Sequence, residues 1–310
     1  MTTPNNAASA HANLELTDAG VKLVSLTFGI NLYTNQSFYG QPQQVLETFD
    51  LFLRHCPAQQ LAFYATETMK EHKPVTRRAL GMPGVWLAPG AAHKHYIALE
   101  LKAAAGSQDA PTAKYEIWSA DASLQANIVS MALPSDMASE RPDEMLALVA
   151  QLADAFSFRS GLAGYSFECS RYDKEKSETH AWSHSMRHPG VDIVRIPFDA
   201  KAVGSEGIKG VNWLTLIDAG LLKELGGVKG IRQRLSAGIE IIECRHGVIL
   251  KAGASPALGD VNRGDTLPLY REVYDLLAPW IALAADDAMA FRLGKDAIER
   301  TEAWFARFGA

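Results

Sequence analysis

Hydrophobic and polar residues alternate in several stretches of the chain, which is the pattern of β-strands that bury one face. The clearest case is 24–32, where Val24, Leu26 and Phe28 are separated by polar or small residues. A strand is therefore predicted there. The same alternation predicts strands over 95–102, 114–118, 127–133, 162–169, 238–243 and 247–251. The first three of these indicate an antiparallel meander and the last two a hairpin.

Other stretches repeat their apolar residues every three or four positions, which is typical of helices with one buried stripe. In 42–56, Pro42 can start a helix, and Val45 and Phe49 share one face. Further helices are predicted over 142–156, near 221–225, over 228–235 and 268–280, and within 286–308. The Gly- and Pro-rich segment 81–90 is predicted to be a loop.

Periodicity fades over 170–202, which is interpreted either as a long functional loop or as a set of short elements. We expect it to be the most exposed irregular part of the chain. Because strands and helices cluster and do not alternate strictly, the fold class is α+β, with antiparallel sheets and flanking helices. The predicted organisation is a disordered tail (1–18) and two intimately packed modules (19–160 and 161–310), or one continuous domain.

Composition narrows the function. The chain has 310 residues, 47% of them hydrophobic, and a net charge of −5, so wholesale disorder is excluded and nucleic acid is a poor partner. The three cysteines Cys56, Cys169 and Cys244 lie far apart, which favours free thiols in a reducing compartment. No secretory signal or membrane-spanning run is visible, so we expect a soluble, cytoplasmic protein without a membrane partner.

One histidine cluster suggests metal chemistry. His180, His184 and His188 are spaced by four, so a continuous helix would place them on one face, near enough for pairs to share zinc. Pro189 and Gly190 follow directly and no HExxH motif exists, so ordinary surface histidines are the favoured interpretation. A metal-dependent hydrolase that uses this cluster remains the alternative function.

The segment 260–265 resembles the opening of a calcium loop, since Asp260, Asn262 and Asp265 carry oxygens at short spacing. It departs from that pattern because Gly264 replaces a ligand and no glutamate stands at the twelfth position. A turn stabilised by side-chain to backbone hydrogen bonds is favoured. We therefore expect no metal and no cofactor. GxGxxG, Walker A and GxSxG motifs are also absent.

Several ordered segments together resemble a known family. They are HPGVD (188–192), GIKGVNWLT (207–215), LGG (225–227), LGDVNRGD (258–265) and PLY (268–270). Across about residues 20–285, and most sharply over 161–270, the chain resembles the family once called DUF3396, which is described as type VI secretion immunity proteins. The resemblance implies a non-enzymatic protein that binds and neutralises a cognate type VI toxin in bacterial competition. It also implies that the toxin is a nuclease acting in the cytoplasm. An adaptor of the secretion apparatus is a third interpretation.

Two sets of residues are assigned from these considerations. The segment motifs are interpreted as scaffold, because glycines permit tight turns, Trp213 fills a core and the acidic loop ties itself to the backbone. These residues are Gly207, Gly210, Trp213, Gly226, Gly227, Asp260, Asn262 and Asp265. Toxin contacts are predicted where carboxylates and aromatic anchors share irregular structure. These residues are Tyr172, Asp173, Glu175, Glu178, Trp182 and Asp192.

Overall fold

The computed structural model describes residues 13–120, 125–204, 206–281 and 296–309. Within these ranges the strands join into one twelve-stranded sheet. Its strands are β1 (Leu16–Asp18), β2 (Val21–Thr34), β3 (Phe63–Thr66), β4 (Lys73–Pro74), β5 (Tyr96–Ala103), β6 (Ala113–Ala120), β7 (Asn127–Pro134), β8 (Ser160–Cys169), β9 (Asp192–Ile193), β10 (Leu214–Asp218), β11 (Ile239–Cys244) and β12 (Gly247–Ala252). The order is β11-β12-β10-β8-β2-β7-β6-β5-β3-β4, with β1 beside β2 and β9 beside β8.

Helices lie on both faces of this sheet. They are α1 (Pro42–His55), α2 (Arg77–Trp86), α3 (Ser135–Glu140), α4 (Pro142–Ala155), α5 (Lys174–Arg187), α6 (Ile196–Val203), α7 (Ala219–Glu224), α8 (Gly227–Arg232), α9 (Pro268–Leu277) and α10 (Ala297–Phe305). Prolines stand in the first turn of α1, α4, α6 and α9, where their fixed φ suits a helix start and no backbone donor is lost.

The long central strand β2 organises the fold, because it pairs antiparallel with β7 on one side and β8 on the other. Strand geometry sends its successive side chains to opposite faces. Phe28 and Ile30 lie in the main hydrophobic core, which also includes Phe49 of α1 and Leu148 of α4. The opposite face carries Ser25 and other buried polar residues. One face of the sheet is therefore apolar and the other, near its centre, is polar.

The α+β class with antiparallel pairing and flanking helices is confirmed. Each neighbouring pair along the main path is antiparallel, whereas β9 pairs with β8 in parallel. The sheet runs without a break across residue 160, because β8 is hydrogen-bonded to β2 and to β10. The two-module division at that residue stays a prediction.

The predicted loop over 81–90 is wrong in its first part, because α2 runs through it. The Thr76 side chain accepts a hydrogen bond from the amide of Ala79 and so caps the helix. Ala79 and Pro83 are both buried against the rest of the fold. A cap and an apolar contact here outweigh the low helix propensity of Gly81, Pro83 and Gly84.

The segment 170–202 is a set of short elements, α5, β9 and most of α6, rather than a long loop. The expectation that it is the most exposed irregular stretch is wrong, since Ala181, Asp192 and Phe198 are buried. Its mixed composition hides the helix because α5 is polar on most sides.

The chain ends are described in part. Of the predicted tail, residues 1–12 lie outside the described residues, whereas Leu14 is buried and β1 pairs with β2. Of the predicted terminal helices, 286–295 lie outside the described residues and Ala297–Phe305 forms α10. In the described part of the chain, no helix has the length and apolar character to span a bilayer.

Candidate functional site

Charged residues stand on the polar face of the sheet, at alternate positions of strands that are otherwise apolar. Glu100 of β5 lies opposite Glu116 of β6, and Lys102 lies opposite Lys114. Glu168 of β8 lies opposite Ser25 of β2. Because partners across an antiparallel pair share a face, the pairing gathers these side chains on one surface. Glu100, Lys102, Lys114, Glu116 and Glu168 thus form a charged surface on the sheet, called here the floor.

A cleft of about 610 Å³ lies over this floor. Residues around 169–174 and the start of α6 form its walls, and Trp118 and Tyr96 lie at one end. Five glutamates and four basic residues line it: Glu67, Glu100, Glu116, Glu168, Glu178, Lys114, Arg171, Lys174 and Arg195. Its size is that of clefts that bind ligands or partner side chains. It is the candidate functional site, called here the glutamate cleft.

Lys114 lies in the glutamate cleft between two carboxylates. Its Nζ lies 2.8 Å from Glu168 Oε2 and 3.0 Å from Glu116 Oε2, and the Lys114 and Glu168 side chains are each 4% exposed. Burial lowers the pKa of Lys114, but the charges of Glu168 and Glu116 outweigh it and raise the pKa above the ordinary value. Burial raises the pKa of Glu168 to about 7, with Lys114 opposing the rise. One lysine is shared by two carboxylates.

Arg171 and His72 hold Glu100 at the other end of the floor. Arg171 Nη2 lies 2.5 Å from Glu100 Oε2, and His72 Nε2 lies 3.0 Å from the same oxygen. Burial raises the pKa of Glu100, but the His72 hydrogen bond and the Arg171 charge outweigh it and hold the pKa well below its usual range. A second cavity of about 280 Å³ shares Glu100 and Arg171 and extends to Tyr172.

Three carboxylates of the glutamate cleft keep one oxygen without a hydrogen-bond partner among the described residues. They are Glu67 Oε2, Glu168 Oε1 and Glu178 Oε2. Their other oxygens are engaged, since Glu67 pairs with Lys94 at 2.5 Å and Glu178 pairs with Arg195. A buried acceptor without a donor is costly, so each of these three carboxylates has an unsatisfied oxygen.

Two tyrosines are exposed at the mouth of the cavities. Tyr172 is 60% exposed and Tyr96 is 38% exposed, which is unusual for large apolar side chains in this fold. Trp118 donates its indole N–H to the Tyr96 hydroxyl, and the two rings stand edge to face with centroids 5.5 Å apart. Exposed aromatic residues at the rim of a charged cleft are typical of binding surfaces.

The structure places four of the six predicted toxin contacts just before α5 or in its first turns, close to the cleft. Asp173 caps α5 by accepting a hydrogen bond from the amide of Lys176 at 3.0 Å, and Tyr172 precedes it. Glu175 is exposed in the first turn. Glu178, one turn further, is 5% exposed and lines the cleft wall. Of these four residues, Glu178 lines the glutamate cleft and Tyr172 lines the second cavity.

The other two predicted contacts have partners within the fold. Trp182 is partly buried, donates its indole N–H to the carbonyl of Arg300 at 3.1 Å, and has the Arg300 guanidinium over its ring at 5.1 Å. Asp192 is 1% exposed and pairs with buried Lys209 at 2.9 Å. These contacts hold α5 and β9 against their neighbours, and Asp192 is enclosed by them.

The histidine cluster has local partners. His180 Nε2 lies 2.8 Å from the carbonyl of Leu14, and His188 Nδ1 lies 2.6 Å from the carbonyl of Gly259. His180 and His184 stack with centroids 4.2 Å apart, while His188 follows the last residue of α5. Burial lowers the pKa of His184 to about 4. Within the described ranges, no group of three His, Cys, Asp or Glu side chains can hold a metal ion.

The motif segments lie in turns and in the core. Trp213 is fully buried, and its indole N–H donates to the carbonyl of Gly253 at 3.1 Å. Gly226 stands before α8 with a φ of +86°, a conformation that suits glycine, and Gly210 and Gly227 also have positive φ. Gly207 instead faces the carbonyl of Val203, where a Cβ would lie 2.7 Å from the oxygen.

The loop 260–265 ties itself to the backbone. Asp260 Oδ1 accepts from the amide of Asn262 at 3.1 Å, and Asp265 Oδ1 accepts from the amide of Leu267 at 3.4 Å. Arg187 adds a two-pronged contact to the Asp260 carboxylate at 3.0 and 2.9 Å. The loop is thereby fastened to the end of α5.

Sequence reasoning missed the floor of the cleft, above all Lys114, Glu116 and Glu168. A signal for it exists, because 114–118 and 95–102 carry charged residues at every second position on the face opposite their apolar residues. A solvated strand face gives the same pattern, so alternation alone cannot indicate burial. Which strands become neighbours, and what covers them, is decided by the fold.

The chain is similar to known proteins in sequence and in fold. The family TsiV, described as type VI immunity for VRR-NUC, matches residues 44–308. The solved structure of Pseudomonas aeruginosa T6SS protein PA0821 is similar, with a TM-score of 0.80 at 19% identity, over 98% of this chain and 91% of that chain. At that identity the likeness shows the fold. No curated protein sequence matches the chain at the significance applied.

Proposed function

The chain belongs to the TsiV family, type VI immunity for VRR-NUC, and from this membership we propose that it protects by binding its nuclease effector directly and blocking its activity. The type VI immunity role expected from the family resemblance is confirmed, whereas the label DUF3396 stays a prediction. The effector is a partner of VRR-NUC type. Direct binding, inhibition without catalysis and action in the cytoplasm are the proposed parts.

Charge supports direct binding. A nuclease needs a basic surface to hold phosphates, and a carboxylate-rich surface on an inhibitor complements it and speeds encounter. The glutamate cleft brings five carboxylates and four basic groups into one concavity, with Glu116 and Glu168 sharing the single Lys114. This is the observation that carries the proposal, because a cleft concentrates its field more than a flat surface does. The cytoplasm is the proposed compartment because a nuclease harms the cell where nucleic acid is found.

The proposed contact surface is the mouth of the cleft together with the start of α5. Tyr172 supplies an exposed aromatic anchor, and Asp173 and Glu175 supply carboxylates at the rim. Glu178 contributes from the wall. Trp182 and Asp192 are left out of this surface because Trp182 is engaged by Arg300 and Asp192 is buried beside Lys209.

Co-expression with the cognate effector tests the proposal. Cells that make the effector together with this chain are expected to survive with intact DNA, and cells with the effector alone are expected to die. Purified proteins then give the mechanism: inhibition of the nuclease should be complete at a fixed stoichiometric ratio, because a binder is consumed as it inhibits. Full inhibition at a small fraction of that ratio would contradict binding without catalysis. Death regardless of this chain would contradict protection.

The contact surface has its own test. Tyr172→Ala is expected to weaken effector binding by about tenfold or more, since an exposed aromatic anchor at an interface contributes 1 to 2 kcal/mol or more. Ile298→Ala is the matched control, because Ile298 is a 48% exposed apolar residue on α10. Equal affinities for wild type and both variants, measured by calorimetry, would place the interface elsewhere.

A further inference from the structure

Around Lys114 the glutamate cleft has one carboxylate more than that lysine can neutralise, while five glutamates and four basic residues line the cleft as a whole. Glu67 is paired with Lys94, Glu178 with Arg195 and Glu100 with Arg171. Lys114 alone serves both Glu116 and Glu168. Because the Lys114, Glu168 and Glu178 side chains are at most 5% exposed, water screens this excess poorly. The arrangement favours one further positive charge.

The unpartnered oxygens indicate where that charge binds. Glu168 Oε1 and Glu178 Oε2 both belong to carboxylates that line the cleft, and neither has a hydrogen-bond donor among the described residues. Glu67 Oε2 adds a third such acceptor at the rim. Several acceptors around one cavity require a ligand with several donors.

A guanidinium group fits these demands. It is always charged, and it presents five N–H donors in a plane, so it can bond more than one carboxylate at once. It is also weakly hydrated and stacks on aromatic rings, which Trp118 and Tyr96 offer at one end of the cleft. A lysine has three donors on a compact, strongly hydrated group, which suits the separated acceptors less well.

The proposed function, on which this inference rests, indicates which molecule supplies the guanidinium group. A nuclease surface that binds phosphate is rich in basic side chains, and Arg171 and Lys174 of the cleft lining flank Tyr172 and Asp173, where the effector is proposed to dock. We propose that an arginine side chain of the effector enters the glutamate cleft and donates hydrogen bonds to Glu168 and Glu178. The cleft is thus a receptor for one effector residue within a larger interface.

Substitution of the two acceptors tests this assignment. Glu168→Gln and Glu178→Gln keep the shape of the side chain and remove its charge, so each is expected to weaken effector binding by about tenfold to a hundredfold. Glu243→Gln is the matched control, because Glu243 is an exposed carboxylate on β11 at the far edge of the sheet. Thermal unfolding of each variant verifies that it folds.

A second measurement uses small compounds that compete with the effector, so its main comparison needs neither a variant of the effector nor a variant of this chain. N-acetyl-arginine methylamide is expected to compete with the effector for wild-type protein at millimolar concentration. N-acetyl-citrulline methylamide, which is neutral and of the same shape, is expected not to compete. Glu168→Gln should lose the discrimination between the two compounds. Spermidine provides the comparison with a free polyamine.

The outcomes separate the two proposals. If the effector binds wild type and both glutamine variants with equal affinity, the cleft assignment is overturned while the proposed function stands. If spermidine binds the cleft far more tightly than the arginine compound does, without displacing the effector, the cleft is a polyamine site and the assignment is again overturned. If the effector binds no form of the chain, the proposed function fails first.

Discussion

Two clusters of buried charges lie in the protein, and each has a lysine between two carboxylates. In the glutamate cleft, Lys114 lies between Glu116 and Glu168. Elsewhere, Lys209 lies 2.9 Å from Asp192 and 2.9 Å from Asp199, and its side chain is 1% exposed. The chemistry of the two clusters is alike, so the difference between them must come from their surroundings.

The Lys209 cluster is enclosed. Lys209 also donates to the carbonyl of Ile193 at 2.7 Å, and its Nζ lies 5.4 Å from the centroid of the Trp304 ring. Arg307 lies over the same ring at 4.6 Å, and burial lowers the pKa of Arg307 to about 10, with the negative charge of Asp192 opposing the fall. Lys209 and Arg307 thus both lie against Trp304 of α10, and Arg307 donates to the carbonyls of Pro189 and Trp304. This cluster holds the end of the chain against β9 and α6.

The Lys114 cluster borders a cavity, and its one lysine serves two carboxylates. The comparison teaches that buried charges alone do not mark a functional site. Asp192 and Asp199 also have oxygens without a described partner, yet neither of the two cavities described above reaches them. Access from solvent distinguishes a binding cluster from a structural one.

The largest change in stability is expected when the Lys209 cluster loses its lysine. Lys209→Met leaves Asp192 and Asp199 buried beside an apolar side chain, so the free energy of unfolding should fall by about 3 to 5 kcal/mol. Lys176→Met is the control, because Lys176 pairs with Asp18 on the surface at 2.5 Å, where water screens the pair and it contributes little to stability. Urea denaturation measures both. A loss below about 1 kcal/mol for Lys209→Met would remove the structural role.

A smaller effect is expected from the pH dependence of the Lys114 cluster. The pKa of Glu168 is raised from 4.5 to about 7 by burial, so its protonated form stabilises the fold below pH 4.5 and this contribution is lost as pH rises to 7. Lys114, Glu116 and Glu100 are the charged groups that act on it. Glu168→Gln should therefore flatten the change in stability between pH 5 and pH 8 by about 1 kcal/mol or more.

Denaturation at a series of pH values measures this flattening. Asp199, whose pKa burial raises to about 6, gives the enclosed cluster a dependence of the same sign. That part should persist in Glu168→Gln. Glu243→Gln should reproduce the wild-type curve, and a Glu168→Gln curve that did so as well would show that Glu168 is not held in a raised-pKa environment.

The smallest expected effect concerns the rim. Tyr172 is 60% exposed, so Tyr172→Ala should change the free energy of unfolding by about 0.5 kcal/mol or less while it weakens effector binding. This result would distinguish the two kinds of region: substitutions in the Lys209 cluster lower stability, whereas substitutions at the binding surface lower affinity for the effector. A large loss of stability in Tyr172→Ala would show that the tyrosine supports the fold instead.

Much of the fold could be predicted from local patterns. Alternation in 24–32 identified the central strand, and Pro42 with its apolar stripe identified α1, because these signals need only a chain and its solvent. Helix α2 could not be predicted in this way, since its stability depends on the burial of Ala79 and Pro83 against residues far away in the chain. Helix α5 was missed because its polar composition gives no clear apolar stripe.

Local patterns in the amino-acid sequence were enough to predict the α+β class and the strands of the meander, and the ordered motifs indicated the type VI immunity family. They also pointed to Tyr172, Asp173, Glu175 and Glu178, of which Glu178 lines the cleft. That Glu168 meets Lys114, and that Asp192 is enclosed with Lys209, depends on how distant segments pack. The physical reason is that a charged residue on a strand gives the same local sequence pattern whether it faces water, a lysine or a cavity. Which of these it faces depends on the neighbouring strands and on the helices and loops packed over them.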